Sequence, residues 1–223
     1  MKLVVHRLGA IDSAQDEARR LLRRGEAEVG HVVLADEQES GRGRFGRTWI
    51  SPRGGLYATF VLPGIGLASL RVGVATVRAL AEVGLDAKLK WPNDLLVGER
   101  KLAGILIERE GDRLLAGLGV NLRDAPLSTA ISVAALGITI DRDDLAASIW
   151  AVLRQAESEA ETLKAYRARC ATLGRRVRVV QGEGDAVKGV AIDVDEEGRL
   201  LVEAAGRTIT VSSGPCEHLD EQG

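Results

Sequence analysis

Only two cysteines, Cys170 and Cys216, occur in 223 residues, too few and too far apart in the chain for a disulfide framework or a zinc site. They read as plain thiols, with a single bond between them as the alternative. No apolar run is long enough to span a bilayer. The longest, Leu67 to Val83, is interrupted by Arg71 and Arg78 and reads as a buried helix. The N-terminus, MKLVVHRLG, turns polar too soon for a signal peptide, so a cytoplasmic protein is expected. Neither sign of charge is in surplus. Lys and Arg number 30 against 32 Asp and Glu, a net charge of −2, so no global field draws nucleic acid or an anionic membrane. Any basic site must be local. Internal repeats, low-complexity tracts and long linkers are absent as well. What remains is 45% hydrophobic and 28% charged, the composition of a globular chain that buries a core, with length for one domain and a small appendix.

Asp12 or Ser13 caps a helix expected over 13–24, which carries Ala18, Leu21 and Leu22 and is stopped by Gly25. HVVLAD at 31–36 and GLYATFVL at 55–62 read as strands, with a helix over 67–83. Short strands are expected around 88–91, 95–97, 102–109 and 114–120, separated by turn signals such as PND and EGD. Asp141, with Asp144 three residues on, caps a long helical region to about Ala171 with Leu145, Ile149, Leu153 and Ala156 at helical spacing. After Leu173 the pattern alternates, RVRVV, VKGVAIDV, RLLVEA and RTITVSS with glycines between, and predicts a small β-barrel. The expectation is an α+β fold: a catalytic domain over 1–173 and a β-barrel domain over 174–223.

The stretch GRGRFGRTW, Gly41 to Trp49, packs three glycines and three arginines behind a strand. Glycines such as Gly41 and Gly43 let the backbone approach a ligand. Arg42, Arg44 and Arg47 supply forked donors for carboxylate or phosphate. Gly41, Gly43 and Gly46 satisfy G-x-G-x-x-G literally, but no helix follows, and no Asp or Glu occurs from Arg47 through Ala81 to take a ribose hydroxyl. Gly41 through Thr48 is one substitution from a P-loop, and fails for want of the same helix. Three more polar clusters stand at strand ends: KWPND at 90–94, RKLAGILIE at 100–108 and GLGVNL at 117–122. Lys90, Asn93, Asp94 and Lys101 offer cations, an amide and a carboxylate for a polyanion and a metal, and Gly104 admits a ligand to the backbone.

In this combination and order, with HRLGAIDSAQDEA and SPRGGLYATFVLP, the motifs resemble the biotin protein ligase family over nearly the whole chain. The resemblance implies a catalytic fold related to class II aminoacyl-tRNA synthetases. It implies ATP-dependent activation of biotin to biotinyl-5′-AMP, with Mg²⁺, and transfer to a lysine of a carboxyl-carrier protein domain. Ser13 and Gln38 would bind the ureido ring. Arg42 would lie over the tail and acyl-adenylate, and Lys101 would hold the biotin carboxyl and α-phosphate. Arg44, Arg47, Lys90, Asn93 and Asn121 would face the nucleotide, its phosphates or the metal, and Trp49 would buttress the adenine side. Arg42, Lys101 and Asp94 are the catalytic candidates, Asp94 hydrogen-bonding or deprotonating the acceptor lysine. No residue is assigned as a metal ligand. The partners implied are the biotin carboxyl carrier protein domain, biotin and ATP, with a homodimer left open and neither DNA nor membrane. The family's Ser-Thr-Asn near the first helix appears here as Ser13-Ala14-Gln15, one hydroxyl fewer. The catalytic pattern starts almost at residue 1, so a DNA-reading domain is not expected. A lipoate or octanoate ligase and a non-catalytic biotin sensor are the rival readings. The Gly/Arg loop argues against the first, and the presence of Lys90 and Lys101 against the second.

Overall fold

The computed structural model describes residues 2–155, 157–181 and 185–219. Two sheets carry the chain. Strands β1 (Val4–Ile11), β2 (His31–Gln38), β3 (Leu56–Pro63), β4 (Lys88–Lys90), β5 (Asp94–Val97), β6 (Arg100–Glu110) and β7 (Arg113–Val120) form a seven-stranded sheet in the order β1-β2-β3-β7-β6-β5-β4. Only β1 and β2 run parallel, so the sheet is mixed.

Helix α1 (Ala14–Arg24) crosses one face. Its start is set by the Ser13 hydroxyl, which accepts the Asp16 N–H at 3.4 Å, and its end by Gly25 at φ 72°, a left-handed stop that glycine adopts without penalty. Ala14, Ala18 and Leu21 pack there on Val33, Ala35, Val61 and Leu115. The other face is covered by α2 (Ala68–Ala81), with α3 (Arg142–Leu153) and α4 (Glu159–Arg169) packed against α2.

Strand β1 is an addition to the sequence reading, which began its elements at the first helix. The expected helix from Asp141 to about Ala171 is two helices. Asp141 caps the first, accepting from Asp143 and Asp144 N–H. The second restarts at Ser158, whose side chain and that of Glu161 form a reciprocal capping box. Ala156, placed on that helix by its spacing, lies outside the described residues, as do 182–184 and 220–223 of the expected barrel.

The C-terminal segment folds as β8 (Arg176–Gln181), β9 (Asp185–Val194), β10 (Leu200–Ala204), β11 (Arg207–Val211) and β12 (Cys216–His218). They make an antiparallel sheet in the order β11-β10-β9-β8-β12, and no pairing joins β11 to β12 among the described residues. One hydrophobic cluster runs through both sheets: Val177, Val179, Leu200 and Val202 belong to the same buried set as Leu70, Leu89 and Trp91. Both cysteines are free and buried.

Candidate active site

A cavity of about 430 Å³ opens where the Gly/Arg loop, the β4–β5 hairpin, the ends of β6 and β7, the start of α1 and residues 214–217 meet. Its inner end is polar but uncharged. Gln38 Oε1 accepts the Ala14 N–H at 2.9 Å, and Gln38 Nε2 donates to Ser51 Oγ at 2.9 Å, which in turn donates to Trp49 O at 3.1 Å. Beside Ser13, the buried Gln15 donates Nε2 to Leu115 O at 3.1 Å and accepts from Thr59 Oγ1 at 3.0 Å. Gly117 is small of necessity, since a Cβ there would come 2.6 Å from Gln15 Oε1.

The loop closes over this end as a hairpin. Gln38 bridges Ser51, Arg42 bridges Thr48, and the Trp49 N–H donates to Gly41 O at 2.9 Å. Its tip is a short 3₁₀ turn over Arg44–Gly46 with Phe45 and Gly46 both at positive φ. Gly41 is a residue of close approach: a Cβ there would lie 2.3 Å from Trp49 O. Trp49 lays its indole on two glycines, where Cβ atoms would come 2.4 Å (Gly119) and 3.1 Å (Gly104) from the ring. Its buried Nε1 has no hydrogen-bond partner among the described residues.

The outer end is cationic. Lys101 Nζ lies 5.3 Å from the Trp49 ring centroid and 2.7 Å from Asp94 Oδ1. That approach is an ion pair without hydrogen-bond alignment, which leaves the oxygen's hydrogen-bonding capacity unused. Arg44 Nη1 donates to Asn93 Oδ1 at 3.4 Å, and Asn93 Nδ2 donates to Ile105 O at 2.8 Å. Burial holds Arg44 below the usual arginine range, Asp94 opposing that shift and Arg47 adding to it. Among the described residues Lys90 and Arg47 line the cavity with no ion-pair partner, so their charges are available to a ligand. Two carboxylates line the cavity among the described residues: Glu217, paired with Arg178 at 3.2 Å, and Asp94, which fits a Mg²⁺ ion that takes its remaining oxygens from phosphates and water.

The structure thus brings Ser13, Gln38, Arg42, Gly43, Arg44, Arg47, Trp49, Lys90, Asn93, Asp94, Lys101, Gly104 and Asn121 to one cavity, and leaves Gly41 behind its wall. Several already have partners, and for two of them this narrows what they can offer a ligand. Arg42 Nη2 sits 2.7 Å from Asp16 Oδ1 and 3.5 Å from Glu108 Oε2, so its charge is compensated at the rim. Asn121 is buried with Nδ2 donating to Lys101 O at 3.4 Å and Ile131 O at 3.2 Å, leaving Oδ1 as the group it can offer. Sequence reasoning met Gln15 only as a departure from the family's Ser-Thr-Asn, and missed Thr59 and the C-terminal wall at Pro215 to Glu217. A polar Thr59 inside the apolar run LYATFVL was the one visible signal; residues 214–217 reach the cavity only through the packing of the two sheets.

Residues 9–123 match the biotin/lipoate A/B protein ligase family, and residues 172–219 match the biotin protein ligase C-terminal domain. The chain is 34% identical to the biotin–[acetyl-CoA-carboxylase] ligase of Mycobacterium tuberculosis over 85% of its own length and 79% of that protein's. It belongs to the biotin protein ligase family. It is also 35% identical to the bifunctional ligase/repressor BirA of Escherichia coli, covering 82% of this chain and 65% of that protein. Among solved structures, the Aquifex aeolicus biotin protein ligase in complex with biotin and ATP superposes with a TM-score of 0.84 at 27% identity, over 96% of this chain and 97% of that one. The ligase fold here is therefore a mixed-sheet unit followed by a separate antiparallel sheet.

Proposed function

We propose that this ligase joins biotin to ATP as biotinyl-5′-AMP, releasing pyrophosphate, and then passes the biotinyl group to a lysine of a biotin carboxyl carrier protein domain, releasing AMP. The observation that carries the reading is the polarity of the cavity: neutral amides and hydroxyls at its inner end, cations at its outer end. An acid with a neutral hydrogen-bonding head fits that gradient, with its head at Gln15, Gln38 and Ser13 and its carboxylate toward Lys101. A lipoate or octanoate tail would offer no acceptor to the Ser13 hydroxyl hydrogen or to the second amide hydrogens of Gln15 and Gln38, which disfavours the rival acids.

In the first step a carboxylate oxygen forms a bond to the α-phosphorus and the bond to the β-phosphate oxygen breaks. Two anions must be brought together, and Lys101, Lys90, Arg44 and Arg47 supply fixed positive charge to offset their repulsion and the charge on the leaving pyrophosphate. No general base is required, because the carboxylate is ionised at neutral pH. Asp94 would hold a Mg²⁺ ion together with the phosphates, and the ion would supply further charge compensation there. In the second step the acceptor amine attacks the acyl carbon and AMP leaves. Asp94, whose Oδ1 lies 2.7 Å from the Lys101 ammonium, hydrogen-bonds or deprotonates the acceptor amine.

Seven side chains of the C-terminal sheet with no exposed surface, Val177 to Val211, support its curling toward a barrel over 174–223, with the boundary of the 1–173 domain at Leu173. The antiparallel body of the larger sheet accords with kinship to class II aminoacyl-tRNA synthetases. No helix among the described residues is long and apolar enough to cross a membrane, in keeping with a cytoplasmic carrier as partner.

Biotin-dependent exchange of labelled pyrophosphate into ATP, run beside lipoate and octanoate, tests the reading. Exchange with biotin alone is expected; exchange driven by lipoate or octanoate in its place would assign the other acid, and none with any acid would leave a sensor.

A further inference from the structure

β4 is the three-residue outer strand of the larger sheet, with no further strand on its free side. Its backbone is satisfied instead by the segment that leaves α4. The Ala171 N–H donates to Leu89 O at 2.7 Å, and the Trp91 N–H donates to Thr172 Oγ1 at 3.0 Å. Thr172 has no exposed surface, so the Trp91 N–H has no water to fall back on.

The same hydroxyl lies 3.1 Å from His218 Nε2 on β12, while Arg175 Nη1 lies 3.4 Å from His218 Nδ1. A guanidinium only donates, so Nδ1 is the acceptor and Nε2 carries the hydrogen of a neutral ring. The ring is kept neutral by burial and by Lys90 and Arg175, which together push its pKa down to about 4. Arg175 in turn grips Glu99 at the β5–β6 turn through two bonds of 2.9 and 2.7 Å. The indole Nε1 of Trp91 donates to Gly198 O at 3.0 Å. None of these bonds belongs to the ladder of either sheet. The Trp91–Gly198 bond ties the C-terminal unit directly to the hairpin that bears Lys90 and Asn93, Arg175 ties it to the turn after that hairpin, and His218 reaches the hairpin through Thr172.

We propose that His218 is a positioning residue for nucleotide binding: through Thr172 it holds the Trp91 backbone, and with it the Lys90 ammonium, at the phosphate end of the cavity. His218 itself is not part of the cavity wall, whereas Lys90, one residue before Trp91, is. The proposal rests on the adenylation reading above for the identity of the ligand at that end.

His218→Leu removes the donor and His218→Gln returns an amide N–H in its place. The readouts are affinity for α,β-methylene ATP by calorimetry at saturating biotin, and the KM values for ATP and for biotin in pyrophosphate exchange. We expect His218→Leu to weaken nucleotide binding about ten-fold, the scale of one buried hydrogen bond, with the biotin KM within about two-fold and most of the loss recovered in His218→Gln. Thr172→Val moves the same way, and the double variant is no weaker than Thr172→Val alone, because both break one relay. Unchanged nucleotide affinity in His218→Leu, an equal loss for biotin, or additive effects in the double variant would overturn it. Should Thr172→Val fail to fold, the His218→Leu and His218→Gln pair decides the matter. A wild-type protein that binds the analogue but catalyses no exchange would overturn the adenylation reading and leave this one standing on affinity.

Discussion

Lys101 has its position fixed from three sides. Its backbone N–H donates to Thr129 O and its carbonyl accepts from Ile131 N–H and Asn121 Nδ2, while its ammonium meets Asp94 and the Trp49 ring. A cation held this firmly costs little reorganisation when a charge develops beside it. Lys101→Ala is expected to lower the rate of pyrophosphate exchange by roughly 10²–10³-fold with the melting temperature little changed, the effect of losing one preorganised donor. Gly119 is the complementary case, a residue whose value is its missing side chain. Gly119→Ala puts a Cβ 2.4 Å from the indole of Trp49, a residue whose backbone N–H is anchored to Gly41 O. The ring must move, at a cost of about 1–3 kcal/mol. Tryptophan fluorescence, the biotin KM and the melting temperature should all shift in that variant; an unchanged biotin KM would mean that the indole does not shape the acid's path.

At the scale of elements, α1 and the Gly/Arg loop were readable because their chemistry is local. A serine cap with a glycine stop, and a glycine-arginine loop ending in a strand, need no distant partner to be recognised. The break between α3 and α4 was also written locally, as Ser158 and Glu161, but helical spacing on either side masked it. β1 was not legible, because VVHRLGAI shows neither clean alternation nor a continuous apolar run and becomes a strand only by pairing with β2. Strand β12 carries the pH-dependent element. His218 has a folded pKa of about 4 against an ordinary value of about 6.5, with burial first and then Lys90 and Arg175 disfavouring its charge and Glu99 favouring it. Between those values the unfolded chain binds the proton that the folded one refuses, so stability present above about pH 6.5 is lost progressively as the pH falls toward 4. Melting temperatures from pH 7 to pH 5 should decline more steeply for the wild type than for His218→Gln, and parallel curves would deny His218 that part.

The whole molecule is bound by a core that crosses the two sheets. Leu67 and Leu70 lie against Gly198, the Trp91 indole bonds to its carbonyl, and valines of β8 and β10 share one hydrophobic cluster with α2. A chain ended at Leu173 would expose that cluster and leave the Trp91 donor without its acceptor. Such a fragment is expected to lose its cooperative thermal transition by circular dichroism, and the full protein to melt in one step; a stably folded fragment would show that the two units are independent.

The amino-acid sequence by itself determined the class of fold, the two-unit division of pattern and thirteen of the residues that meet in the cavity: the loop glycines and the cations at strand ends through local chemistry, and others, Gln38, Trp49 and Asn121 among them, only through resemblance to the family. Tertiary structure alone decided that Arg42 is paired with Asp16, that Asn121 spends its amide on Lys101 O, that Trp49 lies on Gly104 and Gly119, and that β12 reaches Thr172. The physical reason is range. A guanidinium or an amide has the same meaning in any sequence until folding brings an acceptor within about 3 Å of it, and here those acceptors come from residues 20 to 66 positions away.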